Sequence, residues 1–411
     1  MISIVVKIFI IFVLSVSGPF AKEVSSSFNF IVNDLLPKGV FTFGFNRGST
    51  FTTDHRYSNT GSRISNRQWN SRNLKFKDIV DSAQSVNDLV LSAAAFKAFG
   101  IELKSRAGFI ENDLAIKSSS EVFMLGYGLN KNSNLFLIIP RVSININITS
   151  KLKPSNEYEQ LITNLYESGQ SLRANYLEQI KNDPLKTRLT ENGQNTFTNI
   201  DTISNIYLNY RYKLNSILLD SFVVVPYGYK YQTSDLVDFR LNDNSLGVKQ
   251  GLGYNLQITQ KSSLQLYGSY HYRSSFTTDY RIPRLENDPL SSDIERDVKI
   301  KYGDTVDSSV QYRFDWNSII KSYLNLRYQY SFKDKFQGRR FSQNRYDFLA
   351  NETNSESLSG HVGLAINTIT PFLANKFLLP MDINVQYSKT LYAKNSFDTD
   401  LIALNLMVFY K

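Results

Sequence analysis

The feature that most constrains this chain is an alternation of apolar and polar residues that returns about a dozen times along its 411 residues. From Leu246 to Ile258, Leu246, Val248, Leu252, Tyr254, Leu256 and Ile258 fall on one face, opposite Gly247, Lys249, Gly251, Gly253, Asn255 and Gln257. From Leu135 to Ile148, Phe136, Ile138, Val142, Ile144, Ile146 and Ile148 share a face, with Arg141, Ser143, Asn145 and Asn147 on the other. Successive side chains of a strand point to opposite faces, so such runs predict strands with one apolar side. They exceed the five or six residues usual in a globular strand and suffice for a tilted crossing of hydrocarbon. Comparable runs occupy Val40–Phe45, Val122–Leu129, Asn205–Tyr212, Phe222–Gln232, Leu264–Arg273, Val306–Trp316, Leu324–Lys333, Leu358–Asn367, Ile383–Tyr392 and Leu401–Tyr410. The predicted fold is all-β, a transmembrane antiparallel β-barrel of about twelve strands. That number is even, as in bacterial single-chain barrels.

Composition makes sense on the same terms. A mean hydropathy of −0.27 suggests a water-soluble chain, yet 25 Tyr and 28 Phe are many for one. A barrel wall, apolar toward lipid and polar toward its lumen, averages to such a value. With the first strand running outward, Tyr227, Tyr229, Tyr231, Tyr270, Tyr272, Tyr328, Tyr330 and Phe332 fall at the outer strand ends. Tyr210, Tyr212, Tyr312, Phe314, Trp316 and Tyr410 fall at the inner ends. Two aromatic girdles are what two lipid–water boundaries select. Gln250 and Lys389 break the pattern toward lipid, and Leu401, Met407 and Phe409 break it toward the lumen.

Residues 1–21 read as a signal peptide: Lys7, an apolar run from Ile8 to Val16, then Ser17, Gly18, Pro19 and Ala21. That run is too short to span a bilayer, which takes about twenty apolar residues. Residues 22–411 then form a single barrel in the bacterial outer membrane, with connections alternately short and long. Partners follow from that placement: outer-membrane lipid, and the barrel-assembly machinery during biogenesis.

Two connections carry helical signals. Between the third and fourth strands, Tyr158, Leu161, Ile162, Leu165, Leu172, Tyr176 and Ile180 recur mostly at three- and four-residue spacing. Pro154 and Ser155 precede them and Pro184 follows, predicting an amphipathic helix over 155–183. A weaker helical segment spans 87–99, stopped by Gly100. Either a plug in the barrel mouth or a surface helix fits the longer one. A plug would seat Leu161, Leu165, Leu172 and Tyr176 on the off-pattern residues Leu401, Met407 and Phe409.

By the same register Arg141, Arg211, Lys230, Lys249, Arg273, Arg313, Arg327 and Lys333 line the lumen. Acidic residues at or near it are fewer: Asp201, Asp307, Asp315 and Asp382. Rings of Arg or Lys in a pore favour anions, whereas pairing with carboxylates would merely brace the wall. Enzyme chemistry finds little support. His271 shares a face with Ser269, but residues two apart on a strand are about 7 Å apart and no orienting carboxylate is indicated. No cysteine, phosphate loop, zinc spacing or calcium loop occurs, so no cofactor is expected, nor a nucleic-acid partner.

The stretch Tyr127-Gly128-Leu129-Asn130-Lys131-Asn132-Ser133-Asn134-Leu135, followed by Ile139-Pro140-Arg141-Val142-Ser143, resembles a hairpin of outer-membrane transporters associated with phenol and toluene degradation. The Leu36-Pro37-Lys38-Gly39 lead-in to the first strand is also similar. The resemblance implies a passive channel for hydrophobic solutes with an internal plug, whereas the basic lumen points toward anions. In the phospholipase A family of outer-membrane barrels the nucleophile follows the histidine by two residues; here that position is Arg273. The expected function is passive uptake of small solutes, anionic or hydrophobic. A receptor or adhesin acting through long outer loops is the alternative, and a lipid hydrolase the third.

Overall fold

The computed structural model describes residues 35–50, 55–65, 72–83, 93–182, 197–228, 244–283, 292–351, 353–373 and 377–410. The signal-peptide segment, residues 87–92, Tyr229, Lys230 and Tyr231 lie outside them.

Twelve antiparallel strands close into one barrel. They are β1 (Phe41–Thr50), β2 (Arg106–Asn130), β3 (Ser133–Pro154), β4 (Ile206–Leu214), β5 (Ile217–Val225) and β6 (Gly247–Thr259). The ring continues with β7 (Ser262–Arg273), β8 (Thr305–Asp315), β9 (Ile320–Ser331), β10 (Ser355–Asn367), β11 (Met381–Lys394) and β12 (Asp400–Tyr410). Each strand pairs with its sequence neighbour, and β12 pairs with β1, Phe41 opposite Tyr410. Closure leaves no unpaired edge among lipid tails, where an unsatisfied backbone amide is most costly.

At one end the connections are tight. The β4–β5 turn bends through Asn215, whose φ of 55° is a left-handed conformation that Asn tolerates. At the other end, long connections form caps. β2 and β3 run far past their neighbours, pairing without interruption from Gly126–Phe136 up to Gly108–Pro154. On this extension rest the strand Arg72–Lys75 and helices α1 (Phe76–Ala83), α2 (Ala93–Ala98), α3 (Asn156–Glu167) and α4 (Ser171–Asn182). Leu74, Phe76, Phe96, Ile110, Leu152, Tyr158, Leu161, Leu165, Tyr176 and Leu177 make their shared core. A second cap joins a three-stranded sheet (Phe276–Pro283, Ser292–Lys301, Lys335–Gln337) to α5 (Gln343–Ala350) around Ile282, Val298, Ile300 and Tyr346.

The helix expected over 155–183 is two helices. Ser155 caps the first, its hydroxyl accepting from the Tyr158 amide at 3.2 Å. Gly169, at φ 76°, ends it: the Gln170 amide turns back to the Leu165 carbonyl at 2.8 Å. The break re-aims the apolar stripe, so Leu172 is 76% exposed while Leu161, Leu165 and Tyr176 are buried.

Candidate functional site: the barrel interior

Which side chains point inward follows from strand parity. Phe41, Phe43, Leu125, Leu135, Leu208, Leu219, Val248, Leu252, Val310, Leu324, Val362, Leu364, Val385 and Leu404 form an exposed apolar band around the wall. Tyr210, Tyr312, Trp316 and Tyr410 are exposed at the turn end, and Tyr227, Tyr270, Tyr272 and Phe332 at the loop end. Such a belt between two aromatic girdles is the surface of a barrel that crosses a membrane. Two polar residues interrupt it in pairs: the Ser221 hydroxyl donates to Gln250 Oε1 at 2.8 Å, and Lys389 lies 3.7 Å from Asp400.

Five of the expected lumen cations do point inward, and each is occupied. Arg211 Nε is 2.7 Å from Asp220, and Arg327 Nε donates to Asp307 at 2.8 Å. Lys249 reaches the same Asp307 at 3.8 Å, and Arg313 meets Asp315 at 3.2 Å. Arg273 donates to the Gly303 carbonyl at 2.7 Å. Lys333 sits past the end of β9 and donates to Asn351 at 3.4 Å, above the bore.

Arg141 is a correction. It lies on the outer surface, where it binds Asp201 at 2.6 Å and Glu121 at 3.7 Å, beside Arg47. The apolar set Phe136, Ile138, Val142 and Ile144 is buried on the inner face instead. Below Pro140 both faces of β3 are apolar, Leu135, Leu137 and Ile139 pointing out, so hydrophobicity alone chose the wrong side. Leu401, Met407 and Phe409 do face inward, but their surroundings correct the plug. Met407 packs in a cluster with Leu36, Val122, Met124, Phe136 and Ile138, with Phe409, Tyr207 and Phe222 against it. The helices instead bury Leu161, Leu165 and Tyr176 in the cap beyond the barrel.

Sequence reasoning missed how the wall stores its large rings. Gly126 lies opposite Phe136, Gly253 opposite Tyr267, and Gly363 opposite Tyr323, all on the inner face. A Cβ on Gly126 would stand 2.5 Å from the Phe136 ring, and one on Gly363 2.3 Å from that of Tyr323. Each ring therefore lies flat along the wall over a missing side chain rather than across the bore. For the first two pairs the signal was available, since in a short hairpin a glycine and an aromatic residue equidistant from the turn face each other. β9 and β10 are joined by a long connection, so Gly363 and Tyr323 gave no such signal.

A second inner feature is a row of hydrogen-bonding side chains on successive strands. Asn255, Gln265, Gln311, Asn325, His361 and Ser388 are directly paired neighbours from β6 to β11. His361 lies between the hydroxyls of Ser359 at 2.9 Å and Ser388 at 2.7 Å. Asn325 is fully buried, and neither of its amide atoms has a partner among the described residues. The side-chain carbonyls of Asn255 and Gln265 have none either.

No protein-family profile matches the chain, and no characterised protein matches it in sequence. Among solved structures it is similar to an outer membrane channel from Pseudomonas putida F1, at 12% identity and a TM-score of 0.52, over 92% of this chain and 97% of that one. The two share a fold. It is also similar to the P. putida toluene transporter (10% identity, TM-score 0.37, 92% of this chain and 91% of that one). A Pseudomonas aeruginosa FadL homologue stands at 9% identity and 0.34, over 95% of each chain; these last two scores are too low to bear on the architecture. The barrel implied by the hairpin resemblance is thus the one found. Its two motifs touch: the Gly39 amide donates to the Gly128 carbonyl at 2.8 Å, and a Cβ on Gly128 would meet the Pro37 carbonyl.

Proposed function

We propose that this chain is a passive channel of the bacterial outer membrane for small solutes without net charge. The observation that carries this reading is a two-sided inner wall. Val122, Met124, Phe136, Ile138 and Met407 belong to β2, β3 and β12. The row through Gln265, Gln311 and Asn325 belongs to β7, β8 and β9, half the ring away, and both lie within a few residues of the turns. One side of the interior is apolar and the other carries amide side chains, and both are packed away from water at these residues. A buried amide without a partner costs about 1–3 kcal/mol; Asn325 is fully buried, so a solute recovers that cost only where the side chains covering it move aside.

Charge gives only limited help to an anion, because four of the five inward cations among the described residues lie against carboxylates, two of them sharing Asp307, and Arg273 is held by a carbonyl. A ring of free Arg or Lys would be needed for strong selection. In liposome-swelling assays, arabinose is expected to enter faster than its aldonate, which differs mainly in charge. Equal or faster entry of the aldonate would sink the reading. The two caps with their own cores favour a receptor as the second reading. That alternative requires a sealed barrel, and swelling no faster than protein-free liposomes would decide for it.

A further inference from the structure

The second cap holds a group of arginines that the channel reading does not use. A cleft of about 570 Å³ is lined by Ile294, Glu295, Arg296, Arg339 and Arg340. Arg296 comes from the strand Ser292–Lys301, and Arg339 and Arg340 from the loop between Lys335–Gln337 and α5. We propose that this cleft is a binding site for a multiply charged phosphate group.

Three observations support it. The loop is held in place, since one Glu295 carboxylate oxygen accepts the amides of Arg339 and Arg340 at 2.7 and 2.8 Å and the other accepts the Tyr346 hydroxyl. Among the described residues Glu295 is the one carboxylate lining the cleft, and its oxygens are taken by the amides of Arg339 and Arg340 and the Tyr346 hydroxyl. Arg340 is further fixed by donating to the Ile294 carbonyl at 3.2 Å and by lying over the Phe341 ring.

Secondly, the side chains of Arg296 and Arg339 are exposed and have no acidic partner among the described residues. Their neighbour Arg345 shows the usual outcome, bound to Asp293 at 2.8 Å. Thirdly, three like charges around one cleft repel each other, and a phosphate between them reverses that cost. Guanidinium forks match phosphate oxygens in pairs, which a chloride or a single carboxylate cannot exploit as fully.

The phosphate could belong to a membrane glycolipid or to a free phosphorylated solute, and one experiment separates these. Inorganic pyrophosphate is titrated calorimetrically into the full-length barrel in detergent, then into the barrel in nanodiscs of phosphorylated or dephosphorylated glycolipid. Saturable, salt-sensitive binding in detergent is expected, at least tenfold weaker in the Arg296→Gln/Arg339→Gln variant. Binding blocked by the phosphorylated glycolipid assigns the site to a lipid headgroup, and binding that persists assigns it to a free solute. Both outcomes support the site. Failure of the wild type to bind pyrophosphate in detergent and in dephosphorylated discs overturns it, as does equal binding by the double variant. Arabinose entry through that variant should be unchanged, so failure here and failure of the channel reading are distinguishable.

Discussion

A Cβ added at Gly251 would stand 2.1 Å from the Tyr267 hydroxyl oxygen and 2.7 Å from its ring. Tyr267 also covers Gly253, so its ring lies along two glycines of β6 rather than toward the barrel axis. Gly251→Val removes half of that seat and drives the ring off the wall. Single-channel conductance is expected to fall severalfold, with folding retained as judged by a heat-dependent gel shift. The double variant Gly251→Val/Tyr267→Ala should recover most of the loss. If the single variant conducts like the wild type, the ring does not border the path. Alternation alone could not disclose this geometry, because it assigns Gly251 a face without showing what fills the space above it.

Elements were legible where one physical rule governed them. The two-residue period gave the number of barrel strands and placed eleven of them, while the run read at Phe222–Gln232 overlaps its strand, Ile217–Val225, over only four residues. Parity placed Arg211, Lys249, Arg273, Arg313 and Arg327 inward. β3 failed because two rules competed there: its inner face is as apolar as its outer one, packing on Met124 and Met407 in the bore. The helix pair was legible as apolar spacing, but its break depended on one left-handed glycine and its location on a hairpin extension that periodicity cannot measure. The second cap carries a short two-residue period of its own, Val298, Ile300 and Tyr302 buried in alternation with Lys299 and Lys301, inside a stretch read only as a connection, and its chemistry rests on Glu295. Burial pushes that carboxyl up, but the Tyr346 hydroxyl and the amides of Arg339 and Arg340 outweigh it and hold the group below its ordinary value. The stabilisation is therefore fully present above the unfolded value of about 4.3 and is lost as pH falls through the lower folded one. Hydrogen exchange at Arg339 and Arg340, corrected for intrinsic rates, should show protection constant from pH 7 to about 5 and lost at lower pH. A Glu295→Gln variant should lack this acid-dependent loss. The same loss in the variant would show that another group titrates.

For the whole molecule, the two ends of the barrel differ in kind, and that asymmetry sets its orientation. In outer-membrane-type barrels short turns face the periplasm and longer connections face outward, which predicts both caps on the cell surface. The chain has no cysteine, so single introduced thiols report each end without background. Leu172 is 76% exposed on the first cap, and Ser216 is exposed in the β4–β5 turn. A membrane-impermeant maleimide applied to intact cells should label Leu172→Cys and spare Ser216→Cys. Both should react once the outer membrane is permeabilised. Labelling of Ser216→Cys alone would invert the barrel and put the arginine cleft of the second cap in the periplasm, where it would meet free phosphorylated solutes rather than the outer lipid leaflet. The orientation measurement therefore also decides which phosphate source can reach that cleft in the cell.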